Sequence, residues 1–414
     1  MLRKSNQPRI APVEPPYDEA TASALEPLGP PIALFRVFAR RPDRARAIFG
    51  WGRYYLSRSL ALSLRHRELV IDRTTALCGA EVRLGHLTAA ADVCKRGEAA
   101  LEAELGPQHP LVAFALLNLG NVGLELHDDA SARAALDRSI AILANTVGTK
   151  HVSYALALNN LGMIAARAGD FPTARSDYER SIAGLEAAHH PDAYWPLSNL
   201  GNLDRQVGRA AEARKDWERA LAIVEAAQGT ESDRGARAYY SLGSLDFDAG
   251  DIDAAARQYE RALAIDLKLF GENHPQTAEA LDGLGYVYNA RNECKRAITY
   301  QSRAVAVNEA VYGRDSLQVA RTLSTLADCQ RQTGNPQAIA NLERAIAIDQ
   351  RFPGQDTYEQ AFTRWTLAKA LRKFHRDPAH ARALAKEARD LFASTPEPEA
   401  AKTIPEIDHW LGTH

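Results

Sequence analysis

The fold is decided by the stretch Leu242–Gly271, which reads LGSLDFDAGDIDAAARQYERALAIDLKLFG. A Leu-Gly anchor opens it, and Gly250, Ala255 and Ala262 follow the anchor glycine by seven, twelve and nineteen residues. Apolar residues recur at three- and four-residue spacing on both sides of Gly250, which predicts two amphipathic helices. Gly250 is placed to end the first helix, because glycine adopts the left-handed conformation at little cost.

The same pattern recurs along most of the chain. Its anchors are Leu77-Cys78, Leu119-Gly120, Leu161-Gly162, Leu200-Gly201, Leu242-Gly243, Leu284-Gly285, Leu326-Ala327 and Leu367-Ala368. From Gly120 onwards the steps between anchors are 42, 39, 42, 42, 42 and 41 residues. One helix pair cannot bury its apolar face alone, so units of this kind must stack on one another. We therefore predict an all-α array of about eight helix pairs.

Each unit carries its own stop signals and small residues. The seventh position after the anchor holds Gly85, His127, Gly169, Gly208, Gly250, Asn292, Gly334 or His375. A second breaker closes the second helix at Gly106, Gly148, Gly229, Gly271, Gly313 and Gly354. Leu136, Tyr178, Trp217 and Tyr259 recur at one position of the second helix and are predicted to be core. The small anchor residues are predicted to let the two helix axes approach closely.

This order of Leu-Gly, Ala, aromatic and Ala resembles the tetratricopeptide repeat (TPR). The strings Gly106-Pro-Gln-His-Pro110 and Gly271-Glu-Asn-His-Pro275 are similar to those of the kinesin-light-chain type, which has 42-residue repeats. The resemblance covers residues 68–394. It implies a right-handed TPR superhelical solenoid of about eight helix pairs with an N-terminal helical extension, and it implies a role in binding other proteins.

The charge balance, apolar runs and cysteine content of the chain argue against several classes of function. The chain of 414 residues carries 50 basic and 52 acidic side chains, and this balance gives no reason to expect a nucleic-acid partner. It contains no run of 18 apolar residues and no apolar segment in its first thirty residues, so we expect neither a membrane span nor a secretion signal. Four scattered cysteines are too few for a disulfide framework, and we expect a cytoplasmic location.

The two ends of the chain depart from the repeat pattern. Residues 1–31 are Pro-rich and are predicted to form a disordered arm, and residues 32–67 are predicted to be a helical extension. Residues 395–414 are predicted to form a tail in which Ile404–Leu411 is a short helix that caps the array.

The N-terminal segment resembles a second family. Its strings Leu34–Pro42 (LFRVFARRP), Leu64–Glu81 (LRHRELVIDRTTALCGAE) and Gly85-His86 are similar to the first half of a carboxymuconolactone decarboxylase or alkylhydroperoxidase-D-like domain, over residues 17–87. The resemblance implies, as an alternative function, a truncated enzyme of that family acting as a decarboxylase or peroxidase.

The peroxidase branch of that family requires a Glu, a Cys-x-x-Cys pair and a His. Glu68 matches the Glu, but Ala80 and Arg83 stand at the two Cys positions and Leu87 stands at the His position. Without two thiols no dithiol–disulfide cycle can run. We therefore predict no catalytic residues and expect the segment to cover the open end of the array.

Candidate binding residues lie on the first helix of successive units. The resemblance implies that these helices line a concave groove in which Asn side chains bind the backbone of an extended peptide. The matching positions hold Asn118, Asn121, Asn159, Asn160, Asn199 and Asn202. The alternative is that these amides bond the neighbouring repeat or are repeat remnants.

Charged and aromatic residues extend the candidate groove. Arg167, Arg205 and Arg237 would offer positive charge to an acidic peptide, although an exposed Arg on a helix is usually only solvated. Tyr240 would form part of an aromatic wall, although aromatic residues at helical spacing are usually core. The His189-His190 pair lacks further ligands at metal-site spacing.

We therefore expect neither a cofactor nor a metal. The predicted function is a non-catalytic scaffold or adaptor for a protein or peptide partner. Self-association of the array is left open.

Overall fold

The computed structural model describes residues 87–395 and 398–413, and these form sixteen α-helices without a β-strand. The helices are α1 (Leu87–Leu105), α2 (Pro110–Glu125), α3 (Asp129–Thr146), α4 (Val152–Arg167), α5 (Phe171–Ala187), α6 (Tyr194–Gln206), α7 (Ala210–Gln228), α8 (Asp233–Asp248), α9 (Ile252–Leu269), α10 (Pro275–Ala290), α11 (Cys294–Tyr312), α12 (Leu317–Gln332), α13 (Gln337–Asp349), α14 (Thr357–Lys373), α15 (Pro378–Ala393) and α16 (Pro398–Thr413). The predicted arm, the helical extension and the decarboxylase-like segment up to residue 86 lie outside the described residues.

The chain forms two compact units, residues 1–164 and 165–414. In the described part of the first unit, α1 packs on α2 and α2 packs on α3. In the second unit the helices pack pairwise as α6 on α7, α8 on α9, α10 on α11, α12 on α13 and α14 on α15. The observed pairs match the predicted helix–turn–helix units in order and position.

The turns inside the pairs all use the left-handed conformation. The backbone angle φ is 78° at Gly169 and at Gly208 and 79° at Gly250. His127 and Asn292, which stand at the equivalent position, adopt it too, with φ of 56° and 60°. The position seven residues after the anchor is therefore a conformational requirement that glycine meets best but other residues can meet.

Side chains at the helix starts satisfy free backbone N–H groups. Asp170 accepts a hydrogen bond from Thr173 N at 3.2 Å, and Asp251 accepts one from Ala254 N at 3.0 Å. His109 Nδ1 caps α2 by accepting from Leu111 N at 3.2 Å. These bonds stabilise the helix N-termini at which they form and explain why Asp follows the turns at Gly169 and Gly250.

A close approach holds the two helices of a pair together. A Cβ added to Gly120 would lie 2.6 Å from Leu136, and one added to Gly201 would lie 2.8 Å from the Trp217 indole. Each contact joins the anchor glycine to the residue sixteen positions later. The prediction that small anchor residues permit close helix packing is confirmed at both sites.

The first helices of the pairs form the inner face of the second unit. Successive first helices contact each other, as α6 contacts α8, α8 contacts α10, α10 contacts α12 and α12 contacts α14. Within the described residues, the second helices of successive pairs are not in comparable contact. The stack of first helices is therefore the more closely spaced side, which makes it the concave side of this unit.

Ion pairs between one pair and the next reinforce the stack. Arg175 on α5 bonds the fully buried carboxylate of Asp204 on α6. Arg214 on α7 bonds Asp246 on α8 at 2.5 Å. Because an unpaired buried carboxylate is costly, these arginines also fix how each pair stacks on the next.

The last helix, α16, covers the end of the second unit. It begins at Pro398 rather than at Ile404, so it is longer than the predicted segment. Ile407 is fully buried, and the Trp410 ring meets Trp365 edge-on at 5.6 Å between centroids.

The close approach at Gly201 leads to the first testable prediction. We expect Gly201→Leu to lower the free energy of unfolding by about 1–3 kcal/mol, because the Trp217 indole has nowhere to move in a packed interior. Urea unfolding followed by circular dichroism measures this. Gly412→Leu is the matched control, because no atom lies within 4 Å of its added Cβ. Equal stability loss in both variants would contradict the packing argument.

Candidate functional site

The amide positions predicted from the sequence all lie on first helices. Asn118 and Asn121 lie on α2, Asn159 and Asn160 on α4, and Asn199 and Asn202 on α6. The first four belong to the first unit and the last two to the second.

In the first unit the amides bond one another. Asn160 Nδ2 donates to Asn121 Oδ1 across two successive repeats, and Asn159 Nδ2 donates to Asn160 Oδ1 at 3.1 Å. Asn121 and Asn160 therefore link neighbouring repeats, as the alternative to peptide binding supposes. Asn121 is exposed and its amide N–H group donates no side-chain hydrogen bond within the described residues, so bonding capacity remains.

In the second unit the inner face contains a pocket with a volume of about 260 Å³. We call it the inner-face pocket. From α6 it is lined by Tyr194, Trp195, Ser198, Asn199 and Asn202. From α8, α9 and α10 it is lined by Ala236, Arg237, Tyr240, Ser241, Asp266, Gln276 and Glu279.

Four residues predicted from the sequence meet in this pocket. Asn199 and Asn202 come from one repeat, and Arg237 and Tyr240 come from the next. Their meeting follows from the inner-face position of α6 and α8, which are in contact.

The other two predicted arginines lie elsewhere. Arg205 Nε pairs with Asp248 at 2.5 Å, so its charge is balanced within the fold. Arg167 is exposed in the last turn of α4. Neither lines the inner-face pocket.

Aromatic rings form one wall of the pocket. Tyr194 and Trp195 meet edge-on at 5.1 Å, and the Arg234 guanidinium lies 5.2 Å from the Trp195 ring centroid. Arg234 is held there by Asp192, to which its Nη2 donates at 2.6 Å. The wall is therefore fixed by contacts outside the pocket before any ligand binds.

Two residues that line the pocket have buried oxygen atoms that accept no hydrogen bond from the described residues. Asp266 is only 3% exposed, and its carboxylate receives no hydrogen bond or ion pair from the described residues. Gln276 is 6% exposed; its Nε2 donates to Asp233 Oδ1 at 2.6 Å, but its Oε1 has no donor. Buried polar atoms of this kind are rare in native proteins and call for an explanation.

Burial shifts the titration of the pocket carboxyls. Desolvation raises the pKa of Asp266 to about 7, reinforced by the negative charges of Asp233 and Glu279 and opposed by Arg237. Burial likewise raises the pKa of Glu279, opposed by the positive charges of Arg237 and Arg321. Arg237 Nε meanwhile donates to Asp233 at 3.1 Å. Desolvation therefore outweighs the nearby positive charges at both pocket carboxyls.

Sequence reasoning missed Asp266, although a signal was present. The equivalent position of the second helix, 23 residues after the anchor, is apolar in three earlier repeats, at Leu143, Leu185 and Val224. All three side chains are buried. At Asp266 a carboxyl stands where earlier repeats have a buried apolar residue. Such a departure from the repeat marks a candidate functional position. Gln276 and Glu279 carry no comparable signal, because their positions vary from repeat to repeat.

Within residues 87–395 and 398–413, no cluster of three or more His, Cys, Asp or Glu side chains could hold a metal ion. No helix in the same part of the chain is long and apolar enough to cross a membrane.

Comparison with known proteins identifies the repeats. A tetratricopeptide repeat family model matches residues 124–187, 192–268 and 247–310. The chain therefore carries TPR repeats, and its fold is an α-helical TPR solenoid. No curated protein matches the chain in sequence.

Two solved structures share this fold at low sequence identity, and a third is similar over half of this chain. The apo form of RapI is 16% identical, with a TM-score of 0.61, and the match covers 79% of this chain and 87% of that one. A Rap protein complexed with competence and sporulation factor is 16% identical, with a TM-score of 0.54, over 84% of this chain and 99% of that one. Kinesin-light-chain TPR-like repeats of Podosopora anserina are 21% identical, with a TM-score of 0.42, over 50% of this chain and 99% of that one.

The pKa of Asp266 predicts how stability depends on pH. Because this pKa lies above the ordinary Asp value of about 3.9, the folded state binds more protons between about pH 4 and pH 7. The Asp266 contribution to stability therefore falls as pH rises through that window and stays low above about pH 7.

Asp266→Asn should remove this dependence. We expect the variant to gain stability relative to the wild-type protein from pH 4 to pH 8, as measured by urea midpoints at both values. Glu218→Gln, which removes an exposed carboxylate on α7, is the control and should show no such gain. A wild-type-minus-variant difference that is constant with pH would rule out a titrating Asp266.

Proposed function

We propose that the protein is a non-catalytic scaffold or adaptor that binds an extended segment of a partner protein along the first helices of its repeats. The observation that carries this proposal is the meeting of Asn199, Asn202, Arg237 and Tyr240 in one pocket on the inner face of the second unit. Residues from two successive repeats thereby face the same space, as the binding of a chain that crosses several repeats requires.

The polar groups on the inner face suit an extended backbone. Asn202 is exposed, and its side-chain amide makes no hydrogen bond within the described residues, so it has donors and an acceptor to offer. In the first unit, the exposed Asn121 retains unused donors. An extended peptide presents N–H and C=O groups that such amides can bond without regard to its side chains.

A protein of similar fold supports the proposal. The Rap protein named above, whose fold is similar, was solved in complex with competence and sporulation factor. The low identity carries the fold alone, so the partner of this chain is to be found by experiment.

The proposal predicts a loss of binding on removal of the amides. Peptides selected by the full-length protein from a displayed library of random linear sequences provide the ligand. We expect the double variant Asn199→Ala, Asn202→Ala, whose two amides line one pocket of the second unit, to bind them about thirtyfold more weakly, because each lost hydrogen bond contributes about 0.5–1.5 kcal/mol.

The matched control is Asn145→Ala, which removes an exposed amide from the second helix α3. It should bind as the wild-type protein does, and circular dichroism should show equal helix content in all three proteins. Unchanged affinity of the double variant, or failure of the library to yield any binder, would overturn groove binding through these amides.

A further inference from the structure

The acceptors of the inner-face pocket line one space from two helices. Asp266 comes from α9, and Gln276 and Glu279 come from α10. Asp266 Oδ1 and Gln276 Oε1 are buried and have no hydrogen-bond partner among the described residues. A ligand that fills this space must therefore supply hydrogen-bond donors, and a charged ligand that suits two carboxylates is a cation.

The charges around the pocket favour a cationic over an anionic occupant. Asp233, Asp266 and Glu279 are the acidic groups that act on one another at the pocket, and Arg237 and Arg321 are the basic groups that act on them. The Arg237 charge is already engaged, because its Nε bonds Asp233 at 3.1 Å. An acidic side chain that entered the pocket would meet the carboxyls of Asp266 and Glu279. The expectation that Arg237 attracts an acidic peptide stays a prediction.

The size and the walls of the pocket suit one basic side chain. A volume of about 260 Å³ is below the ~300–1,000 Å³ of sites that hold whole small molecules, but it is enough for a single long side chain. Tyr240 adds aromatic surface, which favours a cation over a neutral polar group, whereas the Trp195 ring already has the Arg234 guanidinium beside it. Asn199 and Asn202 lie at the same pocket, where they can bond the backbone on either side of that side chain.

We propose that the inner-face pocket is a specificity site for an ammonium or guanidinium group, carried by a Lys or Arg side chain of the bound segment. Asp266 and Glu279 bind its charge, and Gln276 Oε1 accepts one of its N–H groups. This inference rests on the proposed groove function and adds to it the chemistry of one position in the ligand. The same group could also come from a free amine, which the experiment separates.

The experiment uses the full-length protein and the same library of random linear peptides. We expect the selected peptides to share one Lys or Arg at a fixed position. Replacing that residue by norleucine, which keeps the alkyl chain without the charge, should weaken binding about tenfold or more. Isothermal titration with spermidine in parallel tests a free amine.

Two variants test the carboxylates directly. Asp266→Asn and Glu279→Gln should each lose the preference for Lys or Arg over norleucine while still binding the peptide backbone. Glu218→Gln is the control for a lost negative charge at an exposed site, and it should keep the preference.

The dependence on pH gives an independent readout. In the wild-type protein the preference should be stronger at pH 8 than at pH 6, because Asp266 is deprotonated there. The charged groups that face Asp266 are Asp233 and Arg237 on α8 and Glu279 on α10. The Asp266→Asn variant should lack this pH dependence.

The outcomes separate this inference from the proposed function. Peptides that bind without any basic preference, with no spermidine binding, would overturn the cation site and leave groove binding intact. A second outcome is that spermidine binds, that Asp266→Asn abolishes this binding, and that the selected peptides share no basic residue. This outcome would support the cation site with a free amine as its ligand and would count against a peptide source. Absence of both peptide and spermidine binding would overturn both proposals.

Discussion

The structure depends on one repeated contact, in which a small residue on the first helix of a pair receives the residue sixteen positions later on the second helix. Gly120 receives Leu136, Gly201 receives Trp217 and Gly243 receives Tyr259. A larger anchor would push the helices apart, and the apolar faces that the next pair must cover would no longer line up. The left-handed turn between the helices keeps this spacing constant, since it fixes where one helix ends and the next begins.

This contact explains why the fold could be predicted from the sequence. The pattern of anchor, breaker and small residues recurs in unit after unit, so a helix boundary that is ambiguous in one unit is settled by the others. His127 and Asn292 stand where other units have glycine, and both take the same left-handed conformation. The length of α16 was underestimated because that helix has no second copy in the chain and contains Pro405, a residue that normally ends a helix.

The residues of the inner-face pocket could be predicted from the sequence only where they follow the repeat. Asn199, Asn202, Arg237 and Tyr240 could be found because the inner face of a first helix occupies a fixed register. Asp266 could not be found in the same way, because it comes from a second helix, where the repeat predicts a core residue. It reaches the pocket because α9 packs between α8 and α10, a fact of tertiary packing that periodicity alone does not contain.

Departures from the repeat are therefore where specificity is to be sought. Burial raises the pKa to about 7 at Asp266, Asp282 and Glu359 and to about 6 at Asp349, all in the second unit. Near neutral pH each such carboxyl weakens the folded state, and an apolar residue would serve a purely structural array better. The second unit, with its five packed helix pairs, has enough packing to tolerate this cost. Asp266 lies in a pocket beside the exposed amide of Asn202. A cation bound there would offset the cost of burying the carboxylate. The free protein is then less stable than an array with an apolar residue at this position, but its pocket selects a ligand that carries a positive charge.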